Sequence, residues 1–427
     1  DSLNQIEDLK IQKSILQNKI DAKIAESTPL SKRKLAFQIF DIPRSLVLSL
    51  DVGHVARQGM AYFLNGGGLN SFVLIKDSFQ MLMYGGQKKA NELEALINNN
   101  EHYGLAKVSG VRFIEEGITD LTKREELLTN NFISNARVIG PAIDASVRTQ
   151  RIGTNLIRMS AFSTFVEANP GASMQEYKDF ALLLNIMTGY GSGKLFGTSR
   201  LANYSLTSAR FSESLLERPF AEFYASKEST KAKEQFRKTM LAAFALRGLV
   251  MGLLAVSQDN ITIGRNPNHW TFGRLIIDDG NGYVSVYDPF GGLIQVIGMV
   301  ASASLFFATR IPGMPEEFRR GEFKPSIVFD YLGKRITPSV SLYYRLFDKS
   351  KYASDEEVSY GEAFLRGIAP ITVQTVEQGI AAGESASAIV AKTVLDNIGI
   401  PVTRIPKKEL RGKGGFGYKY YFRETKK

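Results

Sequence analysis

The sequence predicts a mainly α-helical protein, a multi-helix domain with a small inserted β-hairpin around residues 261–288. Apolar residues recur at three- and four-residue steps over most of the chain, which is the periodicity of helices with one buried face. Alternating apolar residues beside strong turn signals are concentrated in that one stretch. The 427 residues are 44% hydrophobic and 22% charged, which is typical of globular proteins and excludes wholesale disorder.

Four regions are expected along the chain. Residues 1–30 are predicted to be a helix at the end of a longer chain, because the sequence begins with Asp1 and not with a methionine. Residues 31–210 form a helical region in this prediction, and 211–403 form a helical core that contains the hairpin and two apolar helices. Residues 404–427 form a basic tail rich in aromatic side chains.

The helices are predicted in order from their apolar stripes and the turns between them. Residues 87–101 place Leu93, Leu96 and Ile97 on one expected stripe. Two amphipathic stretches lie between Thr154 and Thr188, and Asn169-Pro170-Gly171 predicts the turn that separates them. Further helical segments are predicted at 1–26, within 46–83 on both sides of a loop at Gly66-Gly67-Gly68, and at 213–256, 323–347, 355–368 and 384–398.

The hairpin is predicted from two short alternating runs, Leu275–Asp278 and Tyr283–Asp288. Between them stands Asp279-Gly280-Asn281-Gly282, a composition typical of tight hairpin turns. The run Ile261–Gly264 alternates in the same way and belongs to the same β region.

Two apolar segments allow more than one interpretation. Residues 289–309 contain no charge, and the run reaches the roughly 20 residues that a helix needs to cross a bilayer. Residues 239–258 form a second run, interrupted by Arg247. They are either core helices of a large helical domain, which polar residues such as Gln295 and Ser302 favour, or a membrane-inserting pair. The residues expected to line this packing or membrane segment are Leu293, Ile297, Val300, Leu305 and Phe306.

The C-terminal tail holds much of the positive charge. The whole chain carries a formal net charge of +10, and residues 404–427 contain nine basic and two acidic residues. Basic side chains interleaved with stacking rings suit a nucleic acid or another anionic surface. A solubilising tail, or a linker with an edge strand, is the alternative. The predicted contact residues are Arg404, Lys407, Lys408, Arg411, Lys413, Tyr418, Lys419, Tyr420 and Arg423.

Catalytic chemistry finds little support in the sequence. The absence of Cys excludes disulfides, thiol nucleophiles and iron–sulfur clusters, and three widely separated His residues form no compact metal motif. Residues 189–194 resemble a phosphate-binding loop, but Thr188 and Leu195 stand where that motif needs Gly and Ser or Thr, so a helix end followed by a loop is predicted. No catalytic residue, metal site or cofactor is assigned.

Several motifs in a shared order over residues 50–405 nevertheless resemble a known family. They are Leu50-Asp51-Val52 with Arg57-Gln58-Gly59, Asn185-Ile186-Met187-Thr188-Gly189-Tyr190-Gly191, Phe272-Gly273-Arg274-Leu275 with Tyr287-Asp288-Pro289-Phe290-Gly291-Gly292, Phe323-Lys324-Pro325 with Asp330-Tyr331-Leu332-Gly333-Lys334, and Ile368-Ala369-Pro370-Ile371 with Ile398-Gly399-Ile400. Together they resemble the C-terminal module of the large polyvalent proteins of tailed phages and conjugative elements. The second motif is similar to the family's N-x-x-TGRG turn, with Tyr190 in place of the usual Arg.

The resemblance implies a non-enzymatic module of an internal virion protein, stored in the virion interior and delivered to the host cell with the genome. It implies other virion proteins of the portal, tail or capsid interior as partners, and multiple copies of the chain. The basic tail and the apolar helices add DNA and a transient host membrane as expected further partners. Two alternatives stay open. One is a membrane-inserting protein that uses helices 239–258 and 289–309, and the other is an enzyme with an unrecognised site, such as a peptidoglycan-cleaving module.

Overall fold

The computed structural model describes residues 86–114, 140–195, 209–257, 260–264, 271–278, 282–288, 384–389 and 402–406, with single positions between 73 and 82, between 296 and 300, and at 376, 380 and 392. These residues are mostly helical with a small antiparallel sheet, which confirms the predicted fold class. The chain divides into two compact units, residues 1–243 with 368–371 and residues 244–367 with 372–427. The boundary expected at residue 210 stays a prediction.

The described helices follow one another through the first unit and into the second. They are α1 (Gly86–Asn98), α2 (Tyr103–Ser109), α3 (Gly140–Ala168), α4 (Met174–Met187), α5 (Ala209–Glu217), a short 3-10 helix (Arg218–Tyr224) and α6 (Thr230–Ser257), whose C-terminal part belongs to the second unit. The predicted turn between two amphipathic stretches is confirmed, since α3 ends at Ala168 and Ser173 caps α4 by accepting the N–H of Glu176 at 3.2 Å.

The aromatic centre of the first unit's core lies between α3 and α4. The rings of Phe165 and Phe180 stack with their centroids 3.9 Å apart, and Phe162 packs beside Phe180 with no exposed surface. Burial of each such side chain stabilises the fold by about 1.5–3 kcal/mol. These aromatic side chains therefore join the two helices whose ends carry the candidate site.

Helix α1 corrects one detail of the predicted apolar stripe. Leu93 and Ile97 are buried in the core, as expected for residues four apart, but Leu96 is 63% exposed. Arg151 on α3 donates through both terminal nitrogens to the carboxylate of Glu94 on α1. The face of α1 toward α3 is therefore part apolar and part ionic, and Leu96 lies outside it.

The predicted continuous helix over 213–256 is wrong, because α5 ends at Glu217 and α6 begins at Thr230. Pro219 stands in the first turn of the intervening 3-10 helix, where a residue without an N–H group is tolerated. The interruption lets two acidic side chains of α4 cap the start of α6, as described below.

The sheet belongs to the second unit and has the strand order β1-β2-β3-β4. The strands are β1 (Ile261–Ile263), β2 (Leu275–Asp278), β3 (Tyr283–Tyr287) and β4 (Val402–Pro406). The predicted hairpin is confirmed, since β2 and β3 pair antiparallel in the register Ile276↔Val286, and Gly282 in their turn has a φ of 82°. Strand β4 pairs antiparallel with β3 from more than a hundred residues away, and its position was not predicted.

Both faces of the sheet carry buried side chains. Ile276, Val284 and Val286 cluster on one face. On the other face, Ile261 and Leu275 pack against Met251 of α6. The alternation of the strands therefore places apolar residues on both sides, as in a sheet covered on both faces.

Candidate functional site

The loop Thr188–Leu195 after α4 lies where several buried charged side chains meet. Thr188 is the C-cap of α4, and Gly189 and Gly193 have φ angles of 92° and 85°. Glycine adopts this left-handed conformation without the steric cost that other residues incur. The interpretation of this segment as a helix end followed by a loop is therefore confirmed.

Most backbone N–H groups of this loop donate to groups of the chain itself. Ser192 N–H donates to Glu217 Oε2 at 2.8 Å, and Leu195 N–H donates to Glu213 Oε1 at 2.8 Å. The Ser192 hydroxyl also bonds to Glu217 Oε1. Both carboxylates are on α5 and almost fully buried. A phosphate loop directs such N–H groups at its ligand, whereas here they fasten the loop to α5.

Two arginines satisfy the carboxyl end of α4. Arg158 on α3 is completely buried, and its Nε donates to Thr188 Oγ1 at 2.8 Å. Arg218 Nη2 donates to the carbonyl oxygen of Met187 at 2.8 Å. Terminal carbonyl groups of a helix lack partners within the helix and lie at the negative end of its dipole, so cationic donors stabilise them.

Tyr190 lies among three arginines. Its ring centroid is 4.9 Å from the guanidinium carbon of Arg210, 5.7 Å from that of Arg112 and 5.9 Å from that of Arg158. The face of an aromatic ring attracts cations, whereas a fourth guanidinium at the same place would be repelled. An aromatic ring at position 190 therefore fits these surroundings better than an arginine side chain would.

Two asparagine side chains hold the segment Gly110–Ile114, which follows α2, against α3 and α4. Asn155 accepts the N–H of Ile114 at 2.7 Å and donates to its carbonyl oxygen at 2.8 Å. Asn185 accepts the N–H of Arg112 at 3.0 Å and donates to the carbonyl oxygen of Gly110 at 2.9 Å. Each side-chain amide thus pairs with the backbone as a neighbouring strand would.

The acidic side chains at the start of α4 form a second joint. Glu176 accepts the N–H groups of Lys231 at 3.1 Å and Ala232 at 2.8 Å, in the first turn of α6. Asp179 accepts the N–H of Ser226 at 2.9 Å and the hydroxyl of Ser229 at 2.5 Å. A carboxylate is well placed there because the amino end of a helix has unpaired N–H groups and a positive dipole end.

Burial is the main electrostatic influence at the loop. It raises the pKa of Glu217, and the neighbouring Glu213 adds to the rise, whereas hydrogen bonds from Ser192 oppose it. Burial also raises the pKa of Tyr224, with the two carboxylates as further causes. Lys194 Nζ lies 4.7 Å from the centre of the Tyr224 ring. The raised pKa means that protonation of Glu217 costs less free energy than protonation of an exposed glutamate at the same pH. Both carboxylate oxygens of Glu217 contact Ser192.

The second unit contains a buried ion pair within its sheet region. Arg274 Nη2 is 3.1 Å from Asp288 Oδ2, and both side chains are almost fully buried. A Cβ atom on the nearby Gly264 would lie 2.0 Å from the carbonyl oxygen of Thr271, so the chain approaches itself there at a distance that only glycine allows.

Metal-ligand atoms converge at one place among the described residues. One ligand atom each from Glu101, His102 and Glu167 lies within 4.8 Å of the others. The sequence did not reveal this group, because Glu167 is at the end of α3 and the other two are in the turn before α2. Glu213 and Glu217 are four residues apart, which indicates from the sequence that both carboxylates lie on one face of α5. The spacing does not indicate which groups they bind.

Most of the predicted site residues lie outside the described part of the chain. Arg404 is in β4, opposite Ser285 of β3, and the tail residues from Lys407 to Arg423 fall outside the described residues. Ile297 and Val300 are half-buried, whereas Leu293, Leu305 and Phe306 are not described. The surface roles predicted for these residues stay predictions. Among the described helices, none has the length and hydropathy needed to cross a membrane.

Comparison with protein-family models, with curated proteins and with solved structures gives no match for this chain.

Proposed function

We propose that the chain is a structural and interaction module of an internal virion protein of a tailed phage, packaged with the genome and delivered alongside it. The proposal rests on one observation. The described residues of the motifs that carry the family resemblance make contacts within their own fold, and these contacts hold secondary-structure elements together.

The motif at residues 185–191 joins three helices in this way. Asn185 bonds to the backbone of Gly110 and Arg112, Thr188 bonds to the buried Arg158, and the N–H of Gly191 donates to the carbonyl oxygen of Arg210 at 3.1 Å. A catalytic motif presents polar atoms to a substrate, whereas these atoms are directed at the protein. The motif therefore supports a structural role.

The motif pair at 272–275 and 287–288 supports the same role in the second unit. Arg274 and Asp288 form the buried ion pair beside the sheet, and Gly273 N–H donates to the carbonyl oxygen of Gly264 at 2.8 Å. Such a module acts by packing and by neutralising charge, and no bond of a substrate is broken.

An exposed apolar face on α6 is the surface that suits a protein partner. Leu249, Leu253 and Val256 are 60%, 62% and 89% exposed and follow one another at steps of four and three residues. Large side chains on one exposed helix face mark sites of protein contact. In this proposal the face receives an apolar helix of another virion protein, and the basic tail contacts phosphates of the packaged DNA.

Mass spectrometry of gradient-purified particles tests the proposal. We expect peptides of this chain in the particles at a constant ratio to the portal protein. A non-structural phage enzyme, abundant in the infected lysate, serves as the control for carry-over and is expected to be depleted. If portal and capsid peptides are recovered and peptides of this chain are depleted like the control enzyme, the proposal is wrong.

A further inference from the structure

We propose that Glu101, His102 and Glu167 bind a divalent transition-metal ion of the zinc class, and that this ion fastens the turn between α1 and α2 to the end of α3. One ligand atom from each residue lies within 4.8 Å of the other two. One imidazole nitrogen and two carboxylate oxygens are ordinary zinc ligands, and three protein ligands leave a fourth position for water.

The distances fit an ion of this size. His102 Nε2 is 3.5 Å from Glu101 Oε1. Zinc binds nitrogen at about 2.0–2.1 Å and carboxylate oxygen at about 2.0–2.2 Å, so two ligand atoms of a tetrahedral site are about 3.4 Å apart. This pair is therefore already spaced as two ligands of one ion, and in the proposed site the exposed Glu167 side chain, with a ligand atom within 4.8 Å of both, supplies the third ligand.

The turn that carries two of the ligands is fixed to the helix that carries the third. Asn100 Oδ1 accepts both the N–H of His102 at 2.9 Å and the hydroxyl of Ser163 at 3.1 Å. Ser163 stands one helical turn before Glu167 on α3. His102 is the N-cap residue of α2, yet its side chain makes no capping hydrogen bond, so the imidazole is not committed to the helix end.

The local charge favours a cation. One oxygen of each of two carboxylates lies within 4.8 Å of an imidazole nitrogen, and within the described residues Glu167 makes no hydrogen bond or ion pair. Like charges at this separation repel, and a divalent cation compensates both. The nitrogen ligand selects Zn²⁺, Co²⁺ or Ni²⁺ over Mg²⁺ and Ca²⁺, which prefer sites made only of oxygen.

Titration of the purified full-length chain with zinc alone tests the site. The protein is treated with a chelator, desalted and titrated with zinc chloride in a calorimeter, and cobalt absorption in the visible range reports the coordination geometry. We expect one saturable site, weakened at least about tenfold by His102→Gln and by Glu167→Gln. Glu228→Gln removes another exposed carboxylate and is expected to leave the affinity unchanged, and magnesium is expected not to compete.

The variants also distinguish a specific zinc site from nonspecific zinc binding. Glu167→Gln leaves the hydrogen bonds of Asn100 in place, so it decides the question if His102→Gln unfolds, as checked by circular dichroism. Zinc is expected to slow hydrogen exchange in residues 99–106 of the wild-type chain and not in the variants. No saturable binding, or equal affinity in the wild type and Glu167→Gln, which is the result for an adventitious ion only, would overturn the proposal.

Discussion

The contact between Glu217 and Ser192 allows a quantitative test of how the glycine-rich loop is held. Glu217→Ala removes the acceptor of the Ser192 N–H and of its hydroxyl together, whereas Glu217→Gln keeps an acceptor for the N–H and a group that donates to the hydroxyl oxygen. The pair of variants therefore separates the loss of hydrogen bonds from the loss of charge.

The expected magnitude follows from the burial of the contact. Glu217 is 1% exposed, and an unsatisfied N–H group in such surroundings costs about 1–3 kcal/mol. Removal of a buried charge offsets part of that cost. We therefore expect Glu217→Ala to lower the free energy of opening the loop by about 1–3 kcal/mol and Glu217→Gln to change it by less than about 1 kcal/mol.

The pH dependence has a definite sign. Burial raises the pKa of Glu217 above its usual value of 4.5 in the folded chain, so the protonated carboxyl favours the fold. That contribution is complete below the unfolded pKa and is lost as the pH rises through the folded pKa. The wild type is thus expected to lose stability at the loop relative to Glu217→Gln as the pH increases above 4.5.

Hydrogen–deuterium exchange of peptides covering residues 188–195 measures this local opening, and peptides from α1 serve as the internal control. The two variants are compared with the wild type at each pH, so that the intrinsic exchange rate cancels. Equal protection in Glu217→Ala and Glu217→Gln would show that the hydrogen bonds to Ser192 do not hold the loop. A wild-type loop that becomes more protected than Glu217→Gln as the pH rises would contradict the expected sign of the pH dependence.

Three further predictions concern the arginine cluster, the close approach in the sheet and the face of α6. Tyr190→Arg is expected to lower the free energy of unfolding by about 1–3 kcal/mol because it adds a fourth guanidinium, whereas Tyr190→Phe keeps the ring and should stay near the wild type in urea denaturation. Gly264→Ala places a Cβ 2.0 Å from a backbone oxygen and should lower the free energy of unfolding by about 1–3 kcal/mol. Gly104→Ala meets nothing within 4 Å and should raise the free energy of unfolding by about 0.5–1 kcal/mol in the same measurement. Leu253→Glu is expected to leave the melting temperature unchanged and to reduce incorporation of the chain into particles. Met251→Glu, at a buried position of the same helix, should instead lower the melting temperature. Normal incorporation of Leu253→Glu would exclude this face of α6 as a contact surface.

The candidate site was predictable only in part. The glycines at 189–193 indicated the end of α4, because their lack of a side chain favours left-handed φ angles at that position whatever surrounds them. The partners of the loop were not predictable, because Glu213 and Glu217 look like ordinary exposed glutamates of an amphipathic helix. Their burial follows from the way α5 packs against α4, which no local pattern encodes.

The interruption between α5 and α6 illustrates the same limit. Helical periodicity continues through residues 213–256 and predicted one helix there, whereas the structure has a 3-10 helix with Pro219 in its first turn. A new helix begins at Thr230, where Glu176 and Asp179, some fifty residues away, accept the N–H groups of Ser226, Lys231 and Ala232.

The amino-acid sequence alone determined the helical class, the turn between α3 and α4 and the hairpin of β2 and β3, because periodicity, proline and glycine act on neighbouring residues. Three contacts depend on how the folded chain packs: β4 pairs with β3, Asn155 and Asn185 hold the segment Gly110–Ile114, and Glu167 lies beside His102. These contacts join residues dozens to more than a hundred positions apart. Their formation depends on which buried surfaces pack together. Hydrophobic burial is non-directional, so the order of residues along the chain does not indicate which surfaces will meet.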